Sequence, residues 1–299
     1  MIDVIINGLV STAILCLIGW ACSYDISSHG YLNISIGDTS VFAIYTTLYF
    51  ILYLSSVLFF FDESINTLYK FREIPIAAAI FVFFIIYFLL RLALHKVLFR
   101  KLINKQGSTY SVILAGLAII LFSSATLELF GVSRTEGLEV YGTGWRGYLT
   151  DTQATTLILF ILCSIAVFAF QKSKYGKGLD LVTENRNLSR LLGLPMSKIC
   201  LYGSLLSTLL LSCYTSLYFL NKNLTPTSGL EITVYGLVIA ICSLKKKVWI
   251  FLSALFIGML DSILTQYLLP EYWTEPTVIL IFALIALSFK QVRNFHIIE

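Results

Sequence analysis

A chain of 299 residues, 58% of them hydrophobic and only 13% charged, has a mean hydropathy of +0.84. No domain with water on its outside tolerates that balance, so soluble enzymes and soluble binding modules are excluded and the chain belongs in a bilayer. The formal net charge of +4 implies no nucleic acid partner, because most basic residues fall in loops where membrane topology accounts for them.

Apolar runs near the length that a helix needs to cross about 30 Å of hydrocarbon recur along the whole sequence. They predict spans over 4–24, 39–61, 74–94, 110–131, 153–170, 199–220, 230–244, 248–269 and 275–289. The first run has no Lys or Arg ahead of it, so it lacks the basic start of a cleaved secretory signal and reads as a retained first helix, with the mature chain beginning at Met1. The stretch YDISSHGYLNISIGDTS, 24–40, would fill a lipid-facing helix poorly. It reads either as a broken or re-entrant segment buried in protein or as an ordinary loop. NKNLTPTSGLE, 221–231, precedes a span of only about 15 residues; it reads either as an ordinary loop or as the entry to a discontinuous helix of the kind that lines solute sites in transporters.

Segments 91–105, 171–198, 245–247 and 290–299 carry 16 of the 21 Lys and Arg residues. They alternate without violation with the poorer segments when the amino terminus lies outside and the carboxyl terminus in the cytoplasm. The expected architecture is an all-α integral membrane protein of about nine crossings, with 1–299 as one transmembrane domain and 171–198 as its cytoplasmic loop.

Little in the chain suggests covalent chemistry. The six cysteines lie within or at the ends of apolar runs, with no C-x-x-C pair, and read as small buried hydrophobes. Three scattered histidines offer no metal set, H-E-x-x-H is absent, and without G-x-x-x-x-G-K-[ST] the chain holds no ATP by a P-loop. The carboxylates of Asp25 and Asp38 are too close in sequence to serve as the dyad of an intramembrane protease. The 22 Phe and 17 Tyr residues read as lipid-facing filling and interfacial belt. Asp261 sits slightly past the middle of its span, where an acid costs about 2.5 to 3.5 kcal/mol, so it faces protein or water.

The longest polar stretch is SKYGKGLDLVTENRNLSRLLGLPMSK, 173–198. Thr183 there is a candidate cap for a helix with Glu184 in its first turn and Arg190 in its last, ended by Gly193 and Pro195. Leu181, Leu188, Leu191 and Leu192 recur at helical spacings, with Glu184, Arg186, Asn187 and Arg190 turned elsewhere. A connector this long with its own capped helix suits docking to a cytoplasmic partner, the alternative being an interfacial helix on lipid headgroups.

In this loop the chain resembles the permease subunits of branched-chain amino acid type ABC importers, the family that depends on a solute-binding protein. Gly176, Glu184, Asn185, Leu192 and Gly193 fall on the family's coupling-helix pattern, with Leu194 as its last aliphatic. Asp180 stands where the family has Arg, and Leu188 and Ser189 replace a pair of alanines. Asn33 and Gly37 match an Asn-x-x-x-Gly segment, Pro226, Thr227 and Gly229 a Pro-Thr-x-Gly helix entry, and Gly258, Asp261 and Ser262 a Gly-x-x-acidic-Ser helix. CSLKKK follows Ile241 where the family has a Gly-Gly-x-Gly turn.

The resemblance implies a permease in the bacterial inner membrane, without a cofactor of its own, whose partner ATPases hold the ATP and Mg. An external solute-binding protein and a second, identical or similar, permease would complete it. Thr183, Glu184, Asn185, Arg186, Arg190, Leu192 and Gly193 would couple it to the ATPase. Asn33, Gly37, Asp38, Pro226, Thr227, Gly229 and Asp261 would line the solute pathway. The sparse charge inside the spans suits a small neutral or zwitterionic solute, such as an amino acid, amide, urea, nucleoside or sugar. A second class, an ion-coupled carrier or channel without an ATPase, would use Asp261 as its coupling carboxylate.

Overall fold

The computed structural model describes residues 2–30, 36–46, 85–89, 92–93, 150–221, 228–242, 248–267, 277 and 280–281. Every element among the described residues is a helix. In chain order they are α1 (Ile2–His29), α2 (36–46), α3 (Asp151–Lys172), α4 (Lys174–Glu184), α5 (Arg186–Leu191), α6 (Met196–Asn221), α7 (Ser228–Cys242) and α8 (Val248–Tyr267). Among the described residues four stretches are long and apolar enough to cross a membrane: Val4–His29, Gln153–Lys172, Met196–Tyr218 and Trp249–Tyr267, with Glu231–Ile241 shorter. The expected spans at 153–170, 199–220, 230–244 and 248–269 therefore lie within a few residues of observed helices. Those at 39–61, 74–94, 110–131 and 275–289 fall wholly or largely outside the described residues.

Helix α1 is the hub, packing against α3, α4, α6, α7 and α8. In lipid the apolar surface of a helix gains little from meeting another helix, and close backbone approach decides which helices associate. The small residues of α1 permit that approach. A Cβ added at Gly258 would come within 2.6 Å of the Thr12 backbone nitrogen, and one at Gly19 within 2.9 Å of Ile250. Ser262 Oγ donates to the Val4 carbonyl and Ser207 Oγ to the Ala21 carbonyl, both at 2.8 Å. The order of these pairs sets α8 and α6 antiparallel to α1.

Hydroxyls that would be costly in hydrocarbon are satisfied within their own helices. Thr12 donates to the Gly8 carbonyl at 2.7 Å and Thr208 to that of Ser204 at 2.8 Å. Helix α3 is peripheral: Trp20 stacks on Phe160 and Tyr24 meets Phe170 edge-on, whereas Ile158, Ile161, Leu162, Ile165 and Phe168 are each more than half exposed. That outer face is where lipid belongs. The cysteines behave as small hydrophobes, with Cys16, Cys22, Cys163 and Cys200 buried and Cys213 half-buried.

Two expectations need correction. Helix α1 does not stop near residue 24 but continues to His29, because its polar last turns are buried. Ser28 Oγ donates to the Tyr24 carbonyl at 2.7 Å, and His29 Nδ1 lies 3.3 Å from Asp25 Oδ1, both side chains fully enclosed. Gly30, at φ +78°, ends the helix. Several of the described tyrosines are not lipid-facing: Tyr24, Tyr87 and Tyr214 are fully buried and Tyr218 and Tyr235 nearly so. A phenol needs a partner for its hydroxyl, and a helix bundle offers more of them than lipid does.

Candidate functional site

The short helix α7 divides the site region. Residues two positions apart on a helix point about 200° apart, and residues four apart share a face. Gly229 and Thr233 accordingly face α2, whereas Glu231 and Tyr235 face the opposite way, into a cavity. A third face, at Gly236, lies against Ile18 and Cys22 of α1.

On the α2 side, the Gly37 N–H donates to Thr233 Oγ1 at 2.9 Å, and Thr233 Oγ1 donates to the Gly229 carbonyl at 2.8 Å. A Cβ at Gly37 would collide with the Gly229 carbonyl, and one at Gly229 would lie 2.7 Å from the Asp38 backbone. The two helices thus touch backbone to backbone, which only glycine allows here. Asp38 is buried beside this crossing, and its Oδ2 has no hydrogen-bond partner among the described residues. Thr233 sits between Glu231, which shares a cavity with Ser11 and Leu15, and Gly236, which meets Ile18. Helix α2 therefore begins beside the middle of α1, roughly 20 Å of helix rise from the end of α1 at His29.

The cavity on the other side has a volume of about 70 Å³. Its polar lining is Ser11 of α1, Tyr214 and Tyr218 of α6, Glu231 and Tyr235 of α7, and Asp261 of α8. Ile14, Leu15 and Ile257 complete the walls. Tyr218 donates its hydroxyl to Glu231 Oε1 at 3.2 Å, and its ring lies 5.8 Å from that of Tyr214. Asp261 thus faces protein, as its depth in the span required, and a second carboxylate joins it from a neighbouring helix.

Of the expected pathway residues, Gly37, Asp38 and Gly229 meet at one crossing, and Asp261 lies beyond α7 on the cavity. Asn33, Pro226 and Thr227 lie outside the described residues. Glu231, Thr233 and the three cavity tyrosines were missed. Tyr214 and Tyr218, like Glu231 and Tyr235, are spaced by four, so each pair shares a helix face; that spacing was the signal.

The polar segment 173–198 forms two helices rather than one. Ser173 caps α4, accepting from the Gly176 N–H at 3.2 Å, and Asn185 caps α5, accepting from the Leu188 N–H at 3.0 Å. Thr183 is no cap: its hydroxyl donates back to the Leu179 carbonyl at 2.6 Å, inside the last turn of α4. Glu184 closes α4 instead of opening the next helix. Thr183 is displaced as the cap because Asn185 holds the extended backbone that a cap requires. Arg190 lies in the last turn of α5, and Gly193, at φ +69°, ends it as expected. The Gly193 and Leu194 N–H groups return to the Arg190 and Ser189 carbonyls at 3.0 and 3.2 Å, a Schellman turn.

This segment has two unlike sides. Leu179 and Val182 are buried inward, and Tyr175 packs on Tyr202 of α6. Arg186 donates from Nη2 to the Ser28 carbonyl at 3.1 Å, and its guanidinium lies over Gly30 at the end of α1. Outward, Leu181, Leu188, Leu191 and Leu192 are exposed, Leu191 to 86%. Glu184, Asn185, Arg190 and Gly193 are exposed with them.

Comparison with known proteins extends this description. No curated protein matches the chain. Among solved structures the fold is similar to "PsaBC from Streptococcus pneumoniae in complex with Fab", at 15% identity and a TM-score of 0.51, covering 96% of this chain and 92% of that one. The family model described as branched-chain amino acid transport system / permease component matches residues 4–288. That match takes in the hub helix, the glycine crossing, the cavity and the leucine-faced segment alike, and the chain belongs to this family of transport permease components.

Proposed function

We propose that the chain is the membrane-spanning subunit of an ATP-driven ABC importer in a bacterial inner membrane, with its amino terminus outside and its carboxyl terminus in the cytoplasm. An external binding protein would deliver a small neutral or zwitterionic solute to a pair of such permeases. Cytoplasmic ATPases would hold the ATP and Mg and supply the work. The observation that carries this reading is the two-sided α4–α5 segment. Its leucines point away from the bundle, while Arg186 grips the end of the helix on which the bundle is built. A partner pressing on the leucines would move α5, and Arg186 would pass that movement to α1 as a rigid-body shift.

The test is co-purification. The intact chain, expressed in its native host and extracted in mild detergent, should retain P-loop ATPase subunits. The double variant Leu191→Asp, Leu192→Asp should lose them while melting at the wild-type temperature. Retention by the double variant, or no ATPase on the wild type, overturns the reading. The second reading, an ion-coupled carrier, draws support from the two carboxylates of the cavity, but it leaves the exposed leucines without a use.

A further inference from the structure

Three lysines stand where helix α3 ends and α4 begins. The outer face of α3, from Ile158 to Phe168, is exposed and apolar. One turn beyond it, Lys172 Nζ lies 4.4 Å from the centre of the Phe168 ring. A lysine folded back over a lipid-facing aromatic keeps its stem in hydrocarbon and its ammonium at the boundary with water. Three residues on, the exposed ring of Tyr175 packs with its centroid 4.4 Å from that of Tyr202, also exposed, as interfacial tyrosines do. The headgroup level of the bilayer therefore runs through the first turn of α4.

Lys174 and Lys177 lie at that level. Both are exposed, and a spacing of three puts them on one side of α4. None of the three lysines forms an ion pair among the described residues. Helix stability does not account for Lys174 and Lys177, since cations at the start of a helix oppose its macrodipole, and the acids of α4, Asp180 and Glu184, come only later. Membrane topology requires a number of basic residues on one side but no particular place for them. A group of them just past the lipid-facing side of α3 suits an anion that is itself part of the lipid.

We propose that Lys172, Lys174 and Lys177 hold the phosphate of an anionic phospholipid whose acyl chains lie along Ile165 and Phe168 of α3. An ammonium on a flexible stem acts toward phosphate as a point charge, and each lysine near an anionic surface favours binding about fivefold. The basic end of the 173–198 segment is thereby fastened to the membrane, and its leucine end, at Leu191 and Leu192, is left open to a partner. The lipid contact needs no ATPase and does not rest on the importer reading.

The experiment uses the purified full chain in detergent, without partner subunits. Palmitoyl-oleoyl phosphatidylglycerol and phosphatidylcholine, alike in their acyl chains, are added in equal amounts, and native mass spectrometry identifies the first lipid retained. One phosphate shared by three lysines gives less than the product of their separate effects, so the wild type should favour phosphatidylglycerol about tenfold. The triple variant Lys172→Gln, Lys174→Gln, Lys177→Gln should lower that ratio to about twofold, the remainder coming from the other basic segments. The matching triple Arg variant, which keeps the charge, should hold it near tenfold and so show that the site tolerates substitution. No preference in the wild type, or an unchanged ratio in the Gln variant, overturns the proposal. Displacement of the lipid by an equal concentration of soluble glycerol phosphate would make the site one for free phosphate and overturn it as well. A Gln variant that keeps its lipid ratio but loses ATPase subunits on extraction from the native host would show that the lysines face that partner instead. Absence of ATPase from the wild type with the lipid preference intact would remove the importer reading and leave this contact standing.

Discussion

The two halves of α1 are held by different balances of contact. From Val4 to Gly19 the helix is locked by shape, with Gly8, Thr12 and Gly19 admitting α7 and α8 so closely that an added methyl at Gly8, Gly19 or Gly258 has no room. From Tyr24 to Gly30 it is held by polar side chains: Gln171 donates to the Tyr24 hydroxyl at 3.3 Å, and Arg186 donates to the Ser28 carbonyl at 3.1 Å. Interlocked backbones have one good arrangement, because interiors packed to crystal density do not deform gradually. A few directional polar contacts can be exchanged for others. One helix therefore carries a fixed half, beside the cavity, and an adjustable end, beside the segment proposed to receive work.

The sharpest way to break this contrast is to crowd the fixed half. Gly258→Val should destabilise the purified protein by about 3 kcal/mol, since the added atoms meet the Thr12 backbone and no flexible side chain can yield. Thermal unfolding in detergent measures it, and an unchanged melt would show that the half is not locked. Arg186→Ala should cost less, about 2 kcal/mol for a charged donor lost from a carbonyl. Its larger effect should be functional: in proteoliposomes with the ATPase bound, transport should fall about tenfold, a loss of about 1.4 kcal/mol in coupling, while ATP hydrolysis continues. If hydrolysis and transport fall together, Arg186 does not link the segment to α1. Asn185→Ala removes the cap of α5 and should cost about 1 kcal/mol, with faster amide exchange at Leu188 as its local sign. Leu191→Ser should change stability by less than about 0.5 kcal/mol, because its side chain touches little in this chain.

The membrane class and the long apolar helices α3, α6 and α8 were legible because lipid imposes a length and an apolar composition that no neighbour can override, whereas α7 is apolar but shorter. The end of α1 was not, since Asp25, Ser28 and His29 look like loop residues until α4 and α6 cover them. In the 173–198 segment, the glycine stop at Gly193 was readable from its residue type alone. The cap was misread because Thr183 and Asn185 are both good caps, and only the backbone decides between them. The glycine crossing was visible as two motifs but not as one contact, and nothing in a linear sequence says that residue 37 meets residue 229. The cavity lay deeper still: its polar lining comes from four helices, and only Asp261 stood out, because a lone acid in an apolar run is conspicuous whereas Glu231 sits at the polar edge of one.

Among the described residues Gly193 shares a left-handed backbone with Gly30, but differs from it in its surroundings. Space around its α-carbon is empty, so crowding plays no part; only the left-handed backbone asks for glycine. The bend is held instead by the Gly193 and Leu194 N–H groups on the Arg190 and Ser189 carbonyls. If a partner presses on Leu191 or Leu192 as proposed, α6, tied through Ser207 to the carbonyl of Ala21, would offer a second connection to the hub beside the one through Arg186.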